Sequence, residues 1–334
     1  NRIIRKSMKA GWYENIGSAE EVIQYGEMDD PVIKPGEVLV AVKSSGVNPS
    51  DVKTRAGARG ELQFPRIIPH SDGGGVIQDV GDGVDTSRIG ERVWLWNAAF
   101  GRAFGSCAEL ISLPTEQAVL LPEQTSFDAA ACLGVPASTA YYGVFSDGSV
   151  DGQTILVTGG AGAVGHYAIQ LAKWGGATVI STVSGDNKAS VAQDAGSDLV
   201  INYKNDDVAS IVNDFTSGQG VQRIVEVEFG GNLEISQNIL SPNAVIAAYG
   251  SVAEGNPAIP FYDLMFKGTT LNTFLIYIVS LQARSNIVNG ITKAHNDNAL
   301  HHQIAQRFGL NELVAAHQAV ESGSTIGNTI ITID

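Results

Sequence analysis

The stretch that most restricts what this chain can fold into is ILVTGGAGAVGHYAIQLAKWGGATVISTVS, from Ile155 to Ser184. An apolar run passes through four glycines within seven residues, then into helically spaced apolar positions, then into a second apolar run. Short apolar runs bounded by glycine read as strands, and the spacing between them reads as an amphipathic helix. The alternation continues through NKASVAQDAG, DLVINY, DDVASIVNDFTSG, VQRIVEVE, NLEISQNIL and AVIAAYG. Continuously apolar strands separated by amphipathic helices require a parallel sheet covered on both faces, a doubly wound α/β domain.

With 334 residues the chain exceeds one ordinary core, so two domains are expected. Residues 8–126 read as β-rich. GEVLVAVKSSGV and GGGVIQDVGDGV are short apolar or alternating runs, and GERVWLW and CAELISL form a further pair across the loop 97–105. No sustained helical period is evident there, which predicts a small barrel. SFDAAACLGVPASTAYYGVF predicts a helix interrupted near Pro136. After Gly268 come the apolar run TTLNTFLIYIVS, a helical segment around 280–307 and a terminal strand, NTIITI, expected to return to the first domain. The predicted division is 8–126 with 268–334 against 127–267. NRIIRKS, ahead of Met8, is read as an extension outside the fold.

A formal net charge of −14 opposes binding to nucleic acid or anionic membranes, without excluding a local basic pocket. No apolar stretch approaches the ~20 residues a membrane span needs. Cys107 and Cys132 are too few for a disulfide framework or a structural zinc site and read as buried apolar residues. A reducing, cytoplasmic location is expected.

Gly160, Gly162 and Gly165 fit G-x-G-x-x-G between a strand and a helix, the position that gives the pattern meaning. Gly160 is expected to make the tight turn, Gly162 to admit a pyrophosphate, and Gly165 to let helix and strand approach. Ala161, Ala163 and Val164 complete the loop, and the helix N-terminus offers free N–H groups to phosphates. A dinucleotide is the expected ligand. The second strand ends STVSGDNK, so Ser181, Thr182 and Ser184 stand where an NAD site places an acid, with Lys188 beyond. Hydroxyls and a cation suit a 2′-phosphate, which favours NADPH; Asp186 is the alternative, as a displaced ribose ligand. Gly250 and Ser251 end the fifth strand, where the ligand crevice opens.

GVNPSDVKTRAG, HSDGGGVIQDVGDGV, GVPASTAYYGV, TGGAGAVGHYAIQLAKWGGATVI, GSDLVINYKN and GSTIGNTII occur in that order. Together they resemble the zinc-independent quinone oxidoreductases, the zeta-crystallin-like branch of the medium-chain dehydrogenase/reductases. The resemblance implies a GroES-like barrel joined to a Rossmann domain, with cofactor and substrate between them, and a homodimer or homotetramer. It implies nicotinamide-end roles for Asn48 and Asp51, and a helix contact from Thr139. Tyr203 is implied beside the adenosine phosphate, Phe274, Leu275 and Ile276 near the carboxamide, and Asn328 at the cofactor. Lys53 replaces a tyrosine common in relatives and reads either as a donor to a quinone oxygen or as a surface lysine. Glu226 and Glu228 border the expected ribose site without an assigned role.

Zinc-dependent cousins of this family ligate metal where Asn48 and Ser71 stand here. These side chains are poor zinc ligands, and His70 is one residue out of register, so no catalytic metal is expected. His295, His301 and His302 are expected to be solvated. Without a Lewis acid, hydride transfer to an already electrophilic acceptor is favoured over alcohol oxidation. The expected activity is quinone reduction. Reduction of enones or alkenals is the alternative within enzymes, and a crystallin-like or RNA-binding role lies outside them.

Overall fold

The computed structural model describes residues 7–334, so all of the NRIIRKS extension except Ser7 lies outside the described residues. The chain forms two units: residues to Val135 with His302–Asp334, and Pro136–His301. The expected division at 126/127 and 267/268 therefore moves at both points. Ser44 Oγ donates to the Phe127 carbonyl, which ties the helix Phe127–Ala130 to the first unit. Residues 268–301 remain in the second unit because Thr270–Thr273 joins its sheet.

In the first unit Glu37–Val47 organises the sheet. Val38, Val40 and Val42 are buried on one face of this strand, as its alternating pattern requires. It pairs antiparallel with Asp72–Val80, Leu110–Pro114 and the C-terminal strand Asn328–Thr332. Ile304–Gly309 extends the sheet at one end, and Arg92–Leu95 and Ala118–Leu120 at the other. Met8, Ile77, Leu95, Ile111, Leu113 and Ile331 fill the core.

Among the described residues, the helices Ala19–Val22, Pro49–Arg55 and Leu313–Glu321 depart from the β-rich expectation for the first unit. Pro49–Arg55 starts at an Asn N-cap with proline in its first turn, a start signal present in the sequence as NPSD. Leu313–Glu321 ends in an ion pair between Glu321 and the buried Arg55. The helix expected over 280–307 stops at Asn296, and 304–309 is a strand.

The second unit is a six-stranded parallel sheet of Thr154–Val157, Thr178–Val183, Leu199–Asn202, Val221–Glu226, Leu240–Ala248 and Thr270–Thr273. Numbered along the chain, these lie in the spatial order 3-2-1-4-5-6. That order reverses between the first and fourth strands, so ligand crevices are expected beyond Val157 and Glu226. Ile155, Leu156 and Val157 are essentially inaccessible, each stabilising the fold by ~1.5–3 kcal/mol. The helix Leu281–Asn296 packs so closely on Ser138–Phe145 that a Cβ on Gly290 would lie 2.1 Å from the Tyr141 ring.

Candidate active site

The glycine-rich turn lies between Val157 and the helix Ala163–Trp174, whose N-cap is Gly162. The positive φ, +66°, belongs to Gly159 and not to Gly160, so the tight turn sits one residue earlier than expected. Gly160 instead meets the neighbouring strand: its N–H donates to Thr182 O at 2.9 Å, and a Cβ there would be 2.8 Å from that of Ser181. Gly165 cannot carry a side chain, because its Cβ would lie 2.1 Å from Gly159 O. Gly162 is exposed, with only Gly159 O, at 3.2 Å, near a Cβ. Ala161 is buried, while Ala163 and Val164 are half-buried on the first helical turn.

At the end of the second strand the three hydroxyls separate. Ser181 is buried against Ser197, 2.8 Å away, and the Thr182 hydroxyl accepts from Gly159 N at 3.4 Å. Ser184 is half-buried and accepts from Lys188 Nζ at 2.9 Å. Tyr203 is brought alongside by its N–H, which donates to Val183 O, and its side chain is half exposed. Ser184, Lys188 and Tyr203 thus gather at one strand end, with Asp186 exposed nearby.

Glu226 and Glu228 are engaged within the scaffold. Glu226 Oε1 accepts from Thr158 Oγ1, Glu228 N and Asn232 Nδ2, and burial raises its pKa above the usual carboxylate range. Burial also opposes ionisation of Glu228, but main-chain N–H groups of Ala253, Val252, Gly231 and Glu254 hold its pKa low. Ser251 Oγ accepts from Gly230 N at 2.8 Å, and Gly250 O accepts from Phe229 N, so both build the loop beyond the fifth strand. The Phe274 ring lies tilted against those of Tyr142 and Tyr249, with centroids 4.7 and 6.1 Å away. Ile276 is buried, with its carbonyl accepting from Arg284, while Leu275 is exposed. Thr139 is buried in its helix.

In the first unit a buried polar cluster centres on Asp72. Asn48 Nδ2 donates to Asp72 Oδ2 at 2.8 Å, and Asn48 N donates to Asp51 Oδ2 at 2.8 Å. Asp72 packs where neighbours lack side chains: Cβ atoms on Gly134 and Gly46 would stand 2.3 and 3.0 Å from it. Burial pushes the Asp51 carboxyl up to about 7 despite the Asn48 N–H and the Arg59 charge. Lys53 is exposed on the same helix. Asn328 is buried, and both its N–H and its Nδ2 donate to Gln303 O. Asp72 was not singled out in the sequence; the signal was a carboxylate leading directly into three glycines of an apolar strand. His295, expected to be solvated, is buried, and burial lowers its pKa.

Residues 34–123 match the alcohol dehydrogenase GroES-like domain, and residues 163–286 the family described as zinc-binding dehydrogenase. The chain is 30% identical over 306 residues to a 2-haloacrylate reductase of Burkholderia sp, covering 89% of this chain and 91% of that protein. It belongs to the medium-chain dehydrogenase/reductases. A quinone oxidoreductase of Pseudomonas aeruginosa is 28% identical over 318 residues, covering 93% and 95% of the two chains. Among solved structures, a mycobacterial protein complexed with NADPH is 26% identical with a TM-score of 0.85, covering 98% of this chain and 100% of that one. The first unit is thus a GroES-like domain and the second a Rossmann domain of an oxidoreductase.

The zinc in that family description does not fit the residues present. Asn48 commits an N–H to Asp72, and Ser71 offers only a hydroxyl. Both His70 nitrogens are hydrogen-bonded, to Ser45 and His317. Among the described residues no three His, Cys, Asp or Glu side chains are grouped to hold an ion. Nor, among those residues, is any helix long and apolar enough to cross a membrane.

Proposed function

We propose that the protein is an NADPH-dependent, metal-independent quinone reductase. The observation that carries the cofactor choice is the Ser184–Lys188 pair, a hydroxyl and an ammonium 2.9 Å apart at the end of the second Rossmann strand. Two donors suit a dianionic 2′-phosphate and offer a ribose hydroxyl no carboxylate acceptor. Tyr203 borders the same phosphate. Gly160–Gly165 receive the pyrophosphate at a helix N-terminus, and Gly250, Ser251, Thr139 and the Phe274–Ile276 segment shape the nicotinamide end. Asn328 is proposed as a further cofactor contact. The reduced nicotinamide, when bound, supplies a hydride.

The acceptor's polar contacts are proposed to come from the Asn48–Asp51–Asp72 cluster. One Asn48 Nδ2 hydrogen is held by Asp72, and the other is the donor to a carbonyl oxygen gaining negative charge. Asp51 fixes the main chain of Asn48, and Lys53 is the second donor candidate. A quinone needs no further polarisation because it is already electrophilic. A second reading, reduction of α,β-unsaturated carbonyl compounds, is favoured by the similarity to a 2-haloacrylate reductase. Steady-state rates with NADPH and 1,4-benzoquinone, 9,10-phenanthrenequinone, 2-chloroacrylate and a 2-alkenal test both. Quinone turnover surviving chelator treatment is expected; turnover of the alkene substrates alone sinks the quinone reading.

We further propose a homo-oligomer paired through Thr270–Thr273, an edge strand of the Rossmann sheet, and a cytoplasmic location, which suits a chain with only two cysteines. Phe261, Tyr262, Phe266, Leu271 and Ile278 are exposed beside that edge, an apolar surface suited to burial against a second copy. Leu271→Lys is expected to lower the mass found by sedimentation; a wild-type monomer rejects the pairing.

A further inference from the structure

The polar cluster around Asp72 continues through the interior of the first unit as a chain of side chains distant in sequence. His317 Nε2 lies 3.0 Å from His70 Nε2, His70 Nδ1 2.8 Å from Ser45 Oγ, and Ser45 Oγ 2.7 Å from Ser106 Oγ. Ser106 Oγ lies 2.5 Å from the Asp72 carbonyl oxygen. All five residues are buried, and His70 adopts φ +78°, unusual for a residue with a side chain.

Counting hydrogens fixes the direction of every link. A carbonyl oxygen only accepts, so the single Ser106 hydroxyl proton goes to Asp72 O. Ser45 must then donate to Ser106, and His70 Nδ1–H must donate to Ser45. Burial lowers the pKa of both rings; repulsion between them adds to the effect at His70, and the Arg55 charge adds at His317. A neutral His70 protonated on Nδ1 has a bare Nε2, so His317 must donate from its own Nε2. His317 Nδ1 is left as a buried lone pair without a hydrogen-bond partner. The order His317, His70, Ser45, Ser106, Asp72 cannot run backwards, because the carbonyl at its end has no proton to give.

We propose that His317, His70, Ser45 and Ser106 are positioning residues: their one-way hydrogen-bonded chain holds the Asp72 main chain, and Asp72 sets the Asn48 carboxamide for the hydride acceptor. The proposal rests on the reading that Asn48 meets that acceptor. Such a chain stiffens a donor without placing an ion beside it, and small displacements of a reacting geometry lower rates by roughly ten- to a hundredfold.

Long-range ¹H–¹⁵N ring correlations on the ¹⁵N-histidine-labelled full chain at pH 7 test the direction without a substitution. His70 is expected as the neutral Nδ1–H tautomer and His317 as the neutral Nε2–H tautomer. An Nε2–H His70, or a charged ring at either position, overturns the chain. The functional half is read with NADPH and 1,4-benzoquinone. His317→Leu is expected to lower kcat about tenfold or more while the KM for NADPH stays within about twofold, and His317→Gln, which retains a donor, to recover most of the loss. Unchanged kcat in His317→Leu, or equal losses in both variants, overturns the positioning role. If His317→Leu does not fold, the wild-type tautomers decide. If the wild-type protein reduces no acceptor, the functional reading fails while the tautomers still judge the chain.

Discussion

The glycine turn of the Rossmann unit and the polar cluster of the GroES-like unit solve opposite problems. Between Thr158 and Gly165 the molecule removes side chains so that backbone can meet backbone, as Gly165 does at Gly159 O. Around Asp72 it brings side chains together in a dry interior, where each must be matched by a partner or penalised by burial. The turn is local, and the nucleotide proposed for it would meet main-chain N–H groups that nearly any sequence supplies. The cluster joins residues 45, 48, 51, 70, 72, 106 and 317, and its properties exist only once the sheet has formed. Binding by bare backbone therefore tolerates change outside the glycines, whereas the buried cluster depends on every member's identity.

Five substitutions, one of them a control, sharpen or break that contrast, in descending order of expected effect. Gly165→Ala drives a Cβ to 2.1 Å from a carbonyl oxygen, and a loss of about 3 kcal/mol or more in stability, with NADPH binding abolished, is expected from melting and fluorescence titration. Gly162→Ala, with its nearest neighbour at 3.2 Å, is the control and should melt like the wild type while binding NADPH more weakly. Similar melting curves for the two would dissolve the distinction. Lys188→Ala is next: removing a charged donor to the 2′-phosphate should weaken NADPH binding by about 1.5–3 kcal/mol and leave NADH binding unchanged. Equal losses for both nucleotides would remove Lys188 from the phosphate site.

Asp51→Asn addresses the cluster through pH. In the folded chain the carboxyl keeps its proton up to about 7, against an ordinary value of 3.8, so the native state holds the extra proton between those limits. Asp51 accordingly withdraws stability as pH rises through that window. The variant's stability relative to wild type should climb across it by at most about 1.4 kcal/mol per pH unit, measured by urea unfolding. Taking the difference cancels the buried histidines, whose lowered pKa values act with the opposite sign. A flat difference would mean that Asp51 ionises normally. Lys53→Ala is the smallest change: on an exposed side chain, less than about a twofold effect on kcat/KM for a quinone is expected, and a larger loss makes Lys53 an acceptor contact.

Much of the Rossmann unit was readable along the chain because strand period, helix period and glycine spacing are properties of neighbouring residues. Even there the tight turn shifted from Gly160 to Gly159, since only packing against Thr182 and Ser181 shows which glycine carries the positive φ. Pro49–Arg55 announced itself in NPSD but was hidden by the β-rich segments around it. Leu313–Glu321 was not read as a helix, and its buried His317 looks like any histidine on an apolar helix until His70 is found 3.0 Å away. Glu226 and Glu228 carried no assigned role in the sequence, and their partners at Thr158, Asn232 and residues 252–253 are set by strand order.

By itself, the order of residues determined that this chain builds a parallel sheet with a glycine-rich turn after its first strand, since hydrophobic period and missing side chains act over a few residues. Tertiary structure alone decided where the two units divide, which hydroxyls at the second strand end stay accessible, and that Asp72, bonded to Asn48, ends a hydrogen-bonded chain from His317, 245 positions beyond Asp72. The reason is physical: burial and hydrogen-bond matching depend on which atoms exclude water from one another, and that becomes defined only when distant strands share a sheet.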